Sequence, residues 1–188
     1  MCDTNNKNTI SRNIYLDIDI SLNSCGQVID YINRIIAQDD ENKESFKNNI
    51  VDFKYEPINL YINSYGGECY PALGLYDFIK NCKVDIHTYN MGACMSAAGF
   101  IFLAGKKRYG SKNSTFMFHS VRTCSDGDVT YLKDDLEECN KLQELLNNII
   151  TNNTSIKEDD LQKIITGRTQ WFIRGEEALK LGIYTDLI

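Results

Sequence analysis

Two histidines, His87 and His119, are the only imidazoles in this chain, so any proton shuttle built on histidine near neutral pH uses one of them. His87 lies inside the alternating run 84–89, where the pattern sets its side chain against a sheet. His119 ends the extended apolar run 115–118, and strand ends are where α/β folds gather reacting groups. Upstream, Ser96 stands among Ala93, Ala97, Ala98 and Gly99. A serine hydroxyl attacks a carbonyl when a base takes its proton, and small neighbours let a substrate backbone come close. The N–H of Ala97 then lies where negative charge develops, and Gly66-Gly67 frees further N–H groups for the same purpose. Each feature also has a plain structural reading. Ser96 suits a helix N-cap and the glycine pair suits a turn. Local sequence leaves both readings open.

The elements that must position these residues follow from a hydrophobic period that switches between strand-like and helix-like, the pattern of an α/β chain. Residues 14–20 read as a first strand, followed by a helix over 26–38 with Val28, Ile29, Ile32, Ile35 and Ile36 on one face. The charged, irregular stretch 39–57 reads as a surface insertion. A second strand at 58–62 runs into Gly66-Gly67, and a helix over 71–82 starts with Pro71 in its first turn. A third strand, 84–89, leads to a segment from Gly92 that opens an apolar helix through Leu103. Extended pieces follow at 107–109 and 115–118. A long amphipathic helix over about 129–151 carries Leu132, Leu136, Cys139, Leu142, Leu145, Leu146 and Ile149 at helical spacing. Ser155-Ile156-Lys157-Glu158 fits a capping box for a helix ending near Gly167, and a helix over 176–181 closes at Gly182 before a strand over 183–187. The Trp171-Phe172 pair reads as core packing, and Lys106-Lys107-Arg108 as a solvated strand start.

Composition narrows the classes of function. The chain has 188 residues, of which 43% are hydrophobic and 24% charged, which fits one soluble globular domain over 1–188, flexible at 1–11. Its formal charge of −6 and its scattered basic residues give no electrostatic footprint for nucleic acid. The first eight residues are polar, without the apolar stretch of a secretory leader, and no run is long enough to span a membrane. Seven widely spaced cysteines without a Cys-x-x-Cys pair read as reduced thiols in a cytoplasmic protein, with neither a metal nor another cofactor expected.

The order of motifs resembles that of the proteolytic subunit of the Clp protease, the ClpP family. The resemblance rests on Leu60-Tyr61-Ile62-Asn63-Ser64-Tyr65-Gly66-Gly67 and on Gly92-Ala93-Cys94-Met95-Ser96-Ala97-Ala98-Gly99-Phe100. It continues through Asn113-Ser114-Thr115-Phe116-Met117-Phe118-His119 and Phe172-Ile173-Arg174-Gly175-Glu176-Glu177-Ala178, covering about residues 12–38 and 58–188. It implies a ClpP/crotonase-type β-β-α superhelix with a projecting handle helix at 129–151. It implies a serine endopeptidase in which Ser96 is the nucleophile, His119 the general base, and Gly67 and Ala97 the oxyanion donors. Substrates would be peptides or unfolded proteins, and the partners other copies of the chain in heptameric, stacked rings, with an AAA+ unfoldase as a further candidate.

One departure touches the chemistry. Where the family carries its catalytic Asp, two residues before the position of Phe172, this chain has Gln170. A neutral amide in the third triad position cannot offer the charge that stabilises an imidazolium. Asp186 or the run Glu158-Asp159-Asp160 could supply a carboxylate instead, but no spacing argument places either. Tyr65, Ser120-Val121 and Gly110-Ser111-Lys112 also replace family residues, which weighs against the unfoldase partnership. Two alternatives therefore stand beside the peptidase: a catalytically weak or inactive ring or scaffold subunit of the same fold, and a crotonase-like enzyme acting on acyl thioesters.

Overall fold

Two strands whose alternate side chains are enclosed set the centre of the molecule. In β2 (Ile58–Ser64), Ile58, Leu60 and Ile62 are fully buried, and in β3 (Ile86–Met95) so are Ile86, Thr88, Asn90 and Cys94. Enclosing each such aliphatic side chain stabilises the fold by about 1.5–3 kcal/mol. The computed structural model describes residues 10–46, 53–167 and 170–188 and shows a mixed α/β fold with a mostly parallel sheet of seven strands.

Edge strand β1 (Asn13–Leu16) lies parallel to β2, and β2 parallel to β3. The long β3 then serves two neighbours. Its first half pairs with β4 (Lys107–Gly110), and its second half, Ala93 to Met95, pairs with β5 (Thr115–Phe118). The last strand, β7 (Asp186–Leu187), extends the sheet beyond β4. Strand β6 (Trp171–Arg174) is the antiparallel exception, laid along β5. A buried polar cluster fills the fork between β4 and β5. The Asn90 amide donates to Thr115 O (3.0 Å) and to the Tyr184 hydroxyl (2.9 Å), which also contacts Ser114 Oγ at 3.0 Å. Facing outward from the other half of the sheet, Tyr15, Tyr61, Tyr89 and Tyr109 stand in register and stack at 5.2, 4.5 and 4.7 Å.

Helices cover the sheet. Helix α1 (Leu22–Phe46) buries Val28, Ile32 and Ile35, α2 (Cys69–Lys80) buries Ala72, Leu75 and Ile79, and α3 (Ala97–Leu103) is buried on all sides. Helix α4 (Val129–Asn153) starts at Asp128, whose carboxylate accepts from the N–H groups of Thr130 and Tyr131. Its second half buries Leu146 and Ile150, whereas Val129, Leu132 and Leu136 in its first half stay exposed. The chain ends through α5 (Glu158–Gly167) and α6 (Gly175–Lys180), the latter closed by Gly182 at φ 70°.

Several expectations change on contact with this architecture. The surface insertion at 39–57 is in part helical, because α1 continues to Phe46; Asp39 is buried and accepts from Arg12 Nη1 at 2.8 Å. Residues 47–52 and 1–9 lie outside the described residues, while Ile10, expected to be flexible, donates its N–H to Gln38. Strand β3 runs on through Gly92 to Met95, so that segment is strand where a helix start was expected. No capping box forms at Ser155, whose own N–H goes to Leu181 O. Phe172 is 43% exposed, so only Trp171 of that pair packs inward. Arg108 is no solvated charge either: its guanidinium donates to the carbonyls of Ile183, Asn153 and Gly182 at 2.8–2.9 Å. Among the described residues, no helix is long and apolar enough to cross a membrane and no group of His, Cys, Asp and Glu could hold a metal ion.

Candidate active site

Strand β3 ends at Met95 and α3 begins at Ala97, so the single residue between them must turn the chain. Ser96 does so at φ 51°, ψ −125°, the only positive φ outside glycine among the described residues. A non-glycine residue held there carries on the order of 1–3 kcal/mol of strain, tolerated where surrounding contacts dictate it. Those contacts are the Ser96 N–H on Met117 O (3.0 Å) and the Gly99 N–H on Ser96 O (2.9 Å). The side chain makes no capping bond, so the N-cap reading is set aside; its hydroxyl is bonded to nothing among the described residues. A sharp turn between strand and helix is the way α/β-hydrolase folds expose a nucleophilic serine.

The end of β2 is pressed against this turn. A Cβ on Gly66 would lie 2.8 Å from both Ser96 Cβ and Met95 O, and 3.1 Å from Ala97 N. Gly66 and Gly67 have φ of 110° and 149°, which a side chain would resist. The chain is fixed from the other side by Ile20, whose N–H donates to Gly66 O (2.8 Å) and whose carbonyl accepts from Glu68 N (2.9 Å). This parallel bridge uses the groups flanking Gly67, which turns the Gly67 N–H away from Ile20. The Ala97 N–H opens α3 and has no acceptor within it. The Gly67 and Ala97 N–H groups, for which no acceptor is present among the described residues, are the candidate donors, and Gly66 and Gly67 line an open cleft of about 650 Å³ together with Asp19, Ile20, Tyr65 and Glu68.

His119 follows β5. Because Ser96 bonds to Met117, the imidazole stands two residues further along the strand that the serine touches. Its Nδ1 lies 2.5 Å from the carbonyl oxygen of Ser120, a contact in which the ring N–H donates to the carbonyl. The serine hydroxyl and the imidazole are not bonded to each other in this arrangement. Such bonds are commonly long before substrate arrives. His87 lies against Tyr109 on the tyrosine face, with its pKa depressed by burial and then by Lys107.

The expected third member behaves differently. The antiparallel pair β5–β6 ends at Phe118 and Trp171, and one step further its register sets Gln170 opposite His119. Gln170 is nevertheless exposed and has no hydrogen-bond partner among the described residues. Asp186 pairs with Tyr109 beyond β4, and Glu158 accepts from Asn147 (3.2 Å) and Gln162 (2.9 Å). Neither carboxylate meets the imidazole. The two thiols closest in sequence to the glycine pair and to Ser96 are held protonated: burial holds Cys94 well above its ordinary pKa, and burial followed by the proximity of Cys139 raises Cys69. Sequence reasoning missed the Ser120 carbonyl, since a main-chain acceptor leaves no residue-type signature.

A family model described as Clp protease matches residues 31–188. The chain belongs to the Clp protease family. Among curated relatives, this family member is 30% identical over 135 residues to the ATP-dependent Clp protease proteolytic subunit 2 of Treponema pallidum, covering 71% of this chain and 67% of the relative. The corresponding subunit 2 of Treponema denticola is 29% identical over 134 residues, covering 70% and 66%. The proteolytic subunit of Deinococcus radiodurans is 30% identical over 135 residues, covering 71% and 65%. The Clp-like chain thus spans about two thirds of the length of the relatives it matches.

Proposed function

We propose that the protein is a serine endopeptidase of the ClpP class, acting on peptides or unfolded proteins through an acyl-enzyme. His119 Nε2 takes the hydroxyl proton as Ser96 Oγ adds to the peptide carbonyl carbon. The oxyanion that forms accepts from the N–H groups of Gly67 and Ala97, and one such donor is worth about 10²–10³ in rate. Collapse breaks the C–N bond, the amine leaves with the proton from His119, and the acyl group stays on Ser96. Water activated by the same imidazole then releases the acid and restores the hydroxyl. The observation that carries this reading is the strained turn at Ser96 with Gly66 packed on its Cβ. The exposed apolar residues Val129, Leu132 and Leu136 of α4 support assembly with further copies, in heptameric rings stacked through this helix. The names of the relatives include "ATP-dependent", which supports an AAA+ unfoldase as partner, and a cytoplasmic setting fits the reduced thiols.

A second reading is an inert ring or scaffold subunit, favoured by the exposed Gln170, which has no hydrogen-bond partner among the described residues. Fluorophosphonate labelling of the assembled protein, mapped by peptide mass spectrometry with Ser96→Ala as control, separates the two. Modification confined to Ser96 supports the peptidase, and an assembled protein that stays unlabelled supports the scaffold. A 21.5 kDa monomer by light scattering at micromolar concentration would remove the ring.

A further inference from the structure

The carbonyl that accepts the hydrogen bond from His119 belongs to a peptide unit gripped from both ends. On one side Ser120 O accepts from His119 Nδ1; on the other, the N–H of Val121 donates to Gln143 Oε1 at 2.7 Å. Gln143 lies on the inner half of α4 and is itself held. Its amide donates to Asn147 Oδ1 (2.9 Å), and the buried Asn147 amide donates to Glu158 Oε1 (3.2 Å). An amide whose N–H is already donating is a better acceptor at its carbonyl, and a peptide plane pinned at its N–H cannot rotate that carbonyl away. Orienting the imidazole and fixing its tautomer are the tasks a triad carboxylate performs.

We propose that Gln143 is a positioning residue for His119: it fixes the Ser120–Val121 peptide plane so that a main-chain carbonyl takes the place of the absent acid. The chain Gln143–Asn147–Glu158 links that plane to a carboxylate on α5, so Glu158 supports the imidazole through relayed dipoles without touching it. This rests on the peptidase reading of Ser96 and His119. It makes the side chain of Gln170 a bystander, and it makes the setting of the base depend on where α4 lies.

Two measurements test it. In peptide hydrolysis, Gln143→Leu, which keeps bulk and loses the acceptor, is expected to lower kcat on the order of tenfold to a hundredfold with KM little changed. Gln143→Glu, which keeps an acceptor oxygen for the Val121 N–H, is expected to recover most of that loss. A Leu variant with unchanged kcat, or a Glu variant as impaired as the Leu one, overturns the proposal. Nitrogen-15 NMR of the histidines, assigned with His87→Gln, reads the geometry without turnover. The resting protein should carry the His119 proton on Nδ1, and that preference should weaken in Gln143→Leu. A proton on Nε2 in the parent, or a tautomer indifferent to Gln143, also overturns it. A parent protein that fails to react with fluorophosphonate would remove the peptidase reading, and the NMR result would still decide the role of Gln143.

Discussion

Gln170 stands opposite His119 in the continued β5–β6 register, yet its side chain faces solvent and the imidazole bonds instead to the carbonyl of the next residue. In this arrangement the Gln170 side chain does not engage the imidazole. Gln170→Ala should therefore leave kcat within about twofold. Gln170→Asp should raise it by tenfold or more, since a charge beside a forming imidazolium is worth up to about 10⁴ in a complete triad. Steady-state hydrolysis of a fluorogenic peptide checks both, and a large loss in Gln170→Ala would show that the amide is engaged during turnover.

The turn at Ser96 makes a prediction about stability that is separate from activity. Ser96→Ala and Ser96→Gly both remove the hydroxyl and should both abolish turnover. Glycine relieves a φ of 51° that alanine retains. After allowing for glycine's looser unfolded chain, Ser96→Gly should be about 1 kcal/mol more stable than Ser96→Ala in urea denaturation.

At Gly66 even one methyl group is too much. Its Cβ would meet Met95 O and Ser96 Cβ at 2.8 Å, at a φ of 110°. Gly66→Ala should cost about 3 kcal/mol or more and abolish fluorophosphonate labelling. Gly26, exposed on α1 with nothing within 4 Å of a built Cβ, is the matched control: Gly26→Ala should gain about 0.5–1 kcal/mol from helix propensity and leave labelling unchanged.

Tyr184 gives the fold an alkaline limit. Burial pushes its phenol from near 10 up to about 12, against the lowering effect of its bonds to Ser114 and Asn90. Because the folded pKa lies above the unfolded one, the contribution is complete below about pH 10 and is lost as pH rises toward 12, by about 2–3 kcal/mol in all. Urea titrations across that range should show the decline, and Tyr184→Phe should flatten Tyr184's share of it. The same variant should be about 1–2 kcal/mol less stable at neutral pH, where Asn90 loses an acceptor.

How much of this was legible in the sequence depends on whether the signal was a residue type or a relation between chain segments. Most strands and helices, and the length of α4, were readable from period, and Ser96, His119 and Gly67 were singled out by residue type and motif. The extension of α1 over 39–46 was hidden because its polar residues follow no apolar stripe; the Arg12–Asp39 pair that anchors it spans 27 positions. Strand β6 gave no alternation, since both Trp171 and Phe172 are large apolar residues. The grip of Gln143 on a peptide plane 22 positions away is a hydrogen bond to a main-chain N–H, and every non-proline residue offers one.

Trp171 is the only tryptophan in the chain, and it sits on β6 against Phe118, beside Gln170 and across the ladder from the residue that leads into His119. The molecule therefore carries its own fluorophore at the strand pair that frames the imidazole. Selective excitation of the indole would follow parting of β5 from β6, or loading of a peptide beside them, as a change in emission colour and intensity. Neither a dye nor an added cysteine would be needed to watch the site move.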